Sequence, residues 1–276
     1  MKKQLLKFYV ATFLFTWTCW ITSLALLEFA GLQLITQEGF ITSKFDDYKS
    51  TLHILALLLF AAGVYGPMFG AAIAKGKNDK LLPLTGRISK TIVVFIVVFV
   101  LSISLFPGLV YSLVENSEYS LAFPLVTLVP YFLYQLATSG LEEIGWRGFA
   151  LPKLMQNNNA LESGWKLGWL WAIWHFPFVI YLYLDLGISL LIPALIGFTF
   201  NIIGMSIIYS FLYVNTKSLP LMIIFHALTN TASIYLLGAT DNPVVGLAPA
   251  AVVWLSVFVL KYKYGDELIL QKNSVK

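Results

Sequence analysis

Charge is what this sequence has least of. Only 12% of its 276 residues are Asp, Glu, Lys or Arg, against about a quarter in an ordinary soluble domain. With 58% of the chain hydrophobic, 18 basic and 14 acidic residues cannot solvate the outside of a globule, and a soluble domain is excluded. Cysteine is nearly absent too. The single Cys19 excludes an intrachain disulfide and, lying inside an apolar run, reads as a small hydrophobe. Internal repeats, low-complexity tracts and long polar segments are lacking, which argues against a solenoid or a separate soluble domain. The net charge of +4 comes without a basic block, so nucleic acid is not an expected partner.

What the chain does have is apolar runs. A hydrocarbon core of about 30 Å needs roughly 20 apolar residues in helical form. Runs of that kind fall at about 8–29, 53–74, 91–114, 121–139, 165–183, 187–213, 219–238 and 244–262. The first is too long for a signal-peptide core and reads as an uncleaved transmembrane helix. The expected fold is therefore all-α: one polytopic membrane domain over 1–276, a bundle of about eight transmembrane helices. Pro124 and Pro130 make the fourth run the weakest, and seven spans are the competing count.

Orientation follows from the basic residues, which collect in cytoplasmic loops. With eight spans and both termini cytoplasmic, all of the 18 basic residues except Lys44 and Lys49 fall inside or at inner span ends. The outer segments hold Glu28, Glu38, Asp46, Asp47, Glu115, Glu118, Asp185 and Asp241. Gly66-Pro-Met-Phe-Gly70 and Gly164-Trp-Lys-Leu-Gly168 have the small-xxx-small spacing that lets helices approach closely.

Ionisable side chains at membrane depth cost several kcal/mol on most scales and are functional candidates by default. Once loop charges are set aside, few remain. Glu142, Glu143 and Arg147 stand where the fourth run ends, His175 lies within the fifth, and His226 and Asn230 within the seventh. Glu143 and Arg147 are at i, i+4 and can pair along one helical face, while Glu142, about 100° around the helix, is free to point elsewhere. His226 and Asn230 share a face by the same spacing. Together a carboxylate, two imidazoles and an amide can bind and polarise one water or one metal ion. His53, at the outer end of the second span, is expected at the interface. Asn201, Ser206, Thr199 and Thr229 read as structural, and the Trp residues, Trp171 among them, as packing or interface groups.

Three motifs carry a family resemblance. Glu142-Glu143-Ile-Gly-Trp-Arg147 matches the EExxxR signature of the CAAX protease and bacteriocin-processing (Abi) family, and His226-Ala-Leu-Thr-Asn230 matches its HxxxN element. The FxxxH element is met by Trp171-Ala-Ile-Trp-His175, with Trp where the family has Phe, a departure expected to bear on packing rather than chemistry. Order and spacing are also similar, over a core at about 121–240.

The resemblance implies an intramembrane endopeptidase of the type II CAAX prenyl protease kind, acting on a membrane-associated peptide or protein from a polar cavity within the bilayer. It implies Glu142 as general base, with His175 holding or helping to activate the water. His226 and Asn230 would stabilise the tetrahedral intermediate, and Glu143 and Arg147 would brace the site. A carboxylate withdrawn from water becomes a stronger base, and donors in a low-dielectric cavity can supply several kcal/mol to a developing oxyanion. Glu142, His175 and His226 also offer the donor types of a zinc shell with an open position. The chain lacks HExxH, and a glutamate-activated water needs no metal, so a cofactor-free site is the preferred expectation and zinc the alternative. Two other functions remain open: a non-enzymatic membrane factor such as a bacteriocin self-immunity protein, and a proton-coupled transporter. The latter usually shows a repeated half, which this sequence does not. Expected localisation is the cell membrane, if the host is bacterial. The residues do not speak to oligomeric state.

Overall fold

A computed structural model describes residues 2–35, 49–76, 86–116, 124–237 and 243–270. Among them there is helix and no strand. The long helices are α1 (Lys2–Phe29), α2 (Thr51–Gly63), α3 (Gly66–Ala74), α4 (Lys90–Glu115), α5 (Leu128–Ala137), α6 (Ala160–Trp174), α7 (Phe176–Tyr183), α8 (Ile188–Thr216), α9 (Leu219–Leu237) and α10 (Pro243–Tyr264). Lys44, Asp46, Asp47, Glu38, Glu118 and Asp241, which entered the charge argument, lie outside the described residues, as do the ends of the 121–240 core.

The surface has the inverted character of a membrane protein. On α4, Ile92, Ile96, Phe99 and Ile103 are buried while Val93, Val94, Val97, Val98, Leu101 and Leu105 are exposed. Apolar residues thus occupy both faces, as a helix between protein and lipid requires. Each of the eight expected runs contains helix. Among the described residues four helices are long and apolar enough to cross a membrane, and counting each of the bent pairs α2–α3 (49°) and α6–α7 (51°) as one span brings the number to six. The other two runs hold α5, interrupted soon after it begins to approach the motifs, and α9, whose apolar stretch is shorter.

Both bends have a local cause. Pro67 and Pro177 stand in the first turns of α3 and α7, where a residue without an N–H is tolerated but cannot continue the preceding helix. Close packing uses the glycines. Gly164 and Gly168 of α6 face α8, where an added Cβ would lie 2.8 Å from the Ile207 Cα and 2.7 Å from the Ile203 Cα. Gly66 and Gly70 lie in the same way against Thr16 and Thr12 of α1. Helix α6 runs along α8, α1 along α2 and α3, and α4 against α9 and α10.

His53 stands in the first turn of α2. It is buried, with Nδ1 accepting from the Lys49 N–H (3.3 Å) and Nε2 3.0 Å from the Gln33 carbonyl. The ring ties the entry of α2 to the chain after α1, which satisfies both nitrogens in one tautomer.

Candidate active site

Beyond α5 the backbone does not continue as a regular helix. A 3₁₀ turn at Ser139–Glu142 is followed by a short α-helical turn at Glu143–Gly145, a π turn at Trp146–Ala150 and a last turn at Leu151–Leu154. Such changes of helical pitch re-aim side chains and recur at functional sites. Here they present Glu142 and Glu143 to different surroundings. Gly145 lets this stretch press on α3, since a Cβ there would strike the Pro67 backbone.

Glu143 and Arg147 form the expected pair. Arg147 Nη1 donates to Glu143 Oε1 at 3.0 Å, and both side chains are fully buried. The guanidinium carbon lies 4.1 Å and 4.0 Å from the centroids of the Trp171 and Tyr209 rings, which stand nearly perpendicular to each other. Contact of this kind is worth about 2 kcal/mol or more when desolvated, and it holds a cation whose Nε and Nη2 have no hydrogen-bond partner among the described residues.

The same Glu143 oxygen lies 2.7 Å from His226 Nδ1. A carboxylate only accepts, so Nδ1 carries the proton and Nε2 is the nitrogen left for another partner. Glu143 is therefore more than the partner of Arg147: it also fixes the ring of His226. Spacing of i, i+4 pairs it with Arg147 but says nothing of a residue 83 positions away.

Asn230, one turn on along α9, donates from Nδ2 to Gln135 Oε1 and to Ser139 Oγ, each at 3.1 Å. Ser139 in turn donates to Gln135 Oε1, and Gln135 Nε2 donates to the Tyr131 hydroxyl at 2.6 Å. Gln135 and Ser139 were not singled out by sequence. Their i, i+4 spacing, running on toward Glu143, was the available signal.

His175 stands at the α6–α7 bend. Its own N–H turns to the Ala172 carbonyl (3.0 Å), which frees the Trp171 carbonyl from the regular i→i−4 ladder. That carbonyl takes the His175 Nδ1–H at 2.8 Å, leaving Nε2 as the acceptor. The helix break thus sets the tautomer of the ring. Glu142, on the far side of Trp171, accepts the indole Nε1–H at Oε2, 3.1 Å away.

Two cavities meet at these residues. One, of about 290 Å³, is lined chiefly by apolar groups of α2 and of the chain just after α1, including Leu34, Ile54, Leu57, Phe60 and Ala61. The other, of about 270 Å³, lies among α4, α8, α9 and α10 and includes Asn201, Tyr209, His226, Thr229 and Asn230. Ser139, Glu142, His175 and Phe178 line both. The six expected residues are thus assembled in one region, with Glu142, His175, His226 and Asn230 lining cavity and Glu143 and Arg147 packed behind. Asn201, expected to be satisfied structurally, lines the second cavity, and its Oδ1 has no hydrogen-bond partner among the described residues.

A zinc shell is not assembled by this geometry. No three His, Cys, Asp or Glu side chains among the described residues converge as metal ligands would. Among the described residues, Glu142 Oε1 and the Nε2 atoms of His175 and His226 are open, with each Nδ1 engaged, but these donors do not converge as one shell. These residues do not fit the ion, and no chemistry is derived through it.

Comparison with known proteins bears on this same region. Residues 123–232 match the model of the type II CAAX prenyl endopeptidase Rce1-like family, and the match takes in all three motifs. Over this segment the chain resembles the Rce1-like membrane proteases. It is also similar to CAAX prenyl protease 2 of Methanococcus maripaludis, with 26% identity over 223 residues, covering 74% of this chain and 82% of the relative. The family resemblance seen in the motifs is borne out, and the Rce1-like segment spans the broken helix, the α6–α7 bend and the Asn230 end of α9.

Proposed function

We propose that this Rce1-like chain hydrolyses a peptide bond in a membrane-associated peptide or protein by means of a water activated between Glu142 and His175. The observation that carries the reading is that both side chains line the two cavities at the place where those cavities meet. Glu142 takes a proton from the water as its oxygen bonds to the scissile carbonyl carbon. His175 Nε2, the nitrogen not committed to the Trp171 carbonyl, accepts the second water hydrogen and orients the nucleophile. His226 and Asn230 receive the oxyanion. For His226 this requires a proton on Nε2 as well as on Nδ1, a doubly protonated ring set against the Glu143 carboxylate. For Asn230 it requires one amide hydrogen to leave Gln135 or Ser139. The C–N bond then breaks and the leaving amine takes the proton held by Glu142. A metal is not needed in this scheme.

The apolar cavity suits an apolar or lipid-modified stretch of substrate, and the name of the Methanococcus relative points to prenylated chains as the first class to try. Orientation belongs to the same proposal: the charge distribution puts both termini, and the Glu142 motif, on the cytoplasmic side.

The test is cleavage of prenylated and unmodified membrane-proximal peptides by purified protein, alongside Glu142→Ala and His226→Ala and with and without a chelator. Loss of a positioned acid or base costs about 10²–10⁴-fold, and loss of an oxyanion donor about 10²–10³-fold. Both variants should fall by those amounts while the chelator leaves the rate unchanged. Wild-type cleavage in both variants would overturn the reading, and inhibition by chelator would overturn its metal-free form.

A further inference from the structure

Trp171, the first residue of the second motif, touches Glu142, His175, Arg147 and His226. Its indole Nε1–H donates to Glu142 Oε2 at 3.1 Å, and its main-chain carbonyl accepts the Nδ1–H of His175 at 2.8 Å. One face of its ring lies over the Arg147 guanidinium, 4.1 Å from the centroid, and its edge meets the His226 ring, with centroids 5.7 Å apart. The residue is itself buried, so none of these contacts is shared with bulk water.

We infer that Trp171 is a positioning residue that orients both members of the water-activating pair, Glu142 through its side chain and His175 through its backbone. The inference rests on the reading of Glu142 as general base and adds to it. A carboxylate turns broadly about its last torsion, so a free Glu142 would present its oxygens to the water in many attitudes. One fixed donor on Oε2 removes that freedom and leaves Oε1 for the proton. An indole N–H suits the task because it only donates: it cannot take the proton that Glu142 is there to accept. A phenylalanine, the residue of the FxxxH pattern, keeps the aromatic face for Arg147 but has no hydrogen to give. In this chain the Trp therefore adds a contact to the chemistry as well as bulk to the packing.

Trp171→Phe tests the assignment, with Glu142→Ala run beside it. Hydrogen bonds to a charged partner are among the stronger ones, and their loss at a reacting group is expected to lower kcat on the order of tenfold. KM should stay within about twofold, since Trp171 does not hold the substrate itself. If the smaller ring leaves a void that prevents folding, benzothienylalanine placed at position 171 by site-specific incorporation serves instead: it keeps the shape of indole and replaces only the N–H by sulfur. Trp171→Leu, which removes the ring face as well, should lower the unfolding midpoint in addition. A wild-type kcat for the Phe or benzothienyl protein, beside an inactive Glu142→Ala, overturns the assignment alone. An active Glu142→Ala overturns the reading of the site and the assignment with it. A rise in KM with unchanged kcat also overturns it, because the residue would then be acting on substrate binding.

Discussion

Glu142 and Glu143 are neighbours in the chain, both buried, and yet they face different regions of the molecule. Glu142 looks onto the two cavities and is held, among the described residues, by one neutral donor, the Trp171 indole. Glu143 looks into packed protein, where one of its oxygens is shared by the Arg147 guanidinium and the His226 imidazole. The first arrangement leaves a carboxylate with an oxygen to spare beside space that a substrate or water can enter. The second commits a carboxylate to neutralising one cation and aiming one ring. The difference comes from the backbone: the change from a 3₁₀ turn to an α-helical turn falls between them, so two residues of identical chemistry are sent to opposite kinds of work.

The comparison breaks most directly if the two carboxylates are exchanged for their amides one at a time. Glu142→Gln should lower cleavage by about 10²–10⁴-fold and leave the unfolding midpoint close to wild type, because an amide can still accept the Trp171 N–H. Glu143→Gln should lower stability by about 3–5 kcal/mol, since Arg147 is then left buried without an anion. The measurements are cleavage rate and denaturant or thermal unfolding in detergent. Equal losses of stability in the two variants would show that the carboxylates are not specialised.

A second, smaller effect sharpens the same division. Adding Arg147→Met to Glu143→Gln removes the orphaned cation, and replacing a buried ion pair by apolar bulk is often neutral or stabilising. The double variant should therefore regain most of the stability lost by Glu143→Gln. Its cleavage should remain low, because an amide at position 143 can accept the His226 Nδ1–H but no longer balances the doubly protonated ring. Recovery of both properties would assign Glu143 to stability alone.

Much of this was legible in the sequence, and the reasons differ by feature. Helical class and membrane character follow from composition and the length of apolar runs, which require no knowledge of packing. The Glu143–Arg147 pair follows from spacing within one stretch of helix. The span count was less secure: prolines at 67 and 177 divide two runs into bent pairs, and the fourth run loses helical regularity at the motif it leads to. What spacing could not supply were contacts between distant segments. Glu143 with His226, Asn230 with Gln135 and Ser139, and Trp171 with Glu142 each join separate segments. A motif that names the residues of one helix is silent on which side chain of another will meet them. The Trp in place of Phe at position 171 was visible as a departure, but its indole hydrogen gains meaning only once Glu142 is found 3.1 Å away.

The smallest expected effect concerns the two cavities. The one beside α2 is apolar along most of its wall, whereas the one beside α9 carries Asn201, His226, Thr229 and Asn230, so the two should receive unlike parts of a substrate. Ala61 of α2 lines the apolar cavity, and Ala61→Phe would fill part of it from that side. Excluding an apolar group from such a space forfeits about 1.5–3 kcal/mol for a large side chain, and even the loss of half that corresponds to several-fold to tenfold in affinity. KM for a peptide with an apolar or prenylated tail should therefore rise by about tenfold, with kcat unchanged. A peptide of the same sequence without the tail should show no such rise, because it gains nothing from the cavity. An equal change for both peptides would mean that the substitution disturbs the site itself, and no change for either would place the tail elsewhere, leaving the polar cavity as the sole region in which substrate is held.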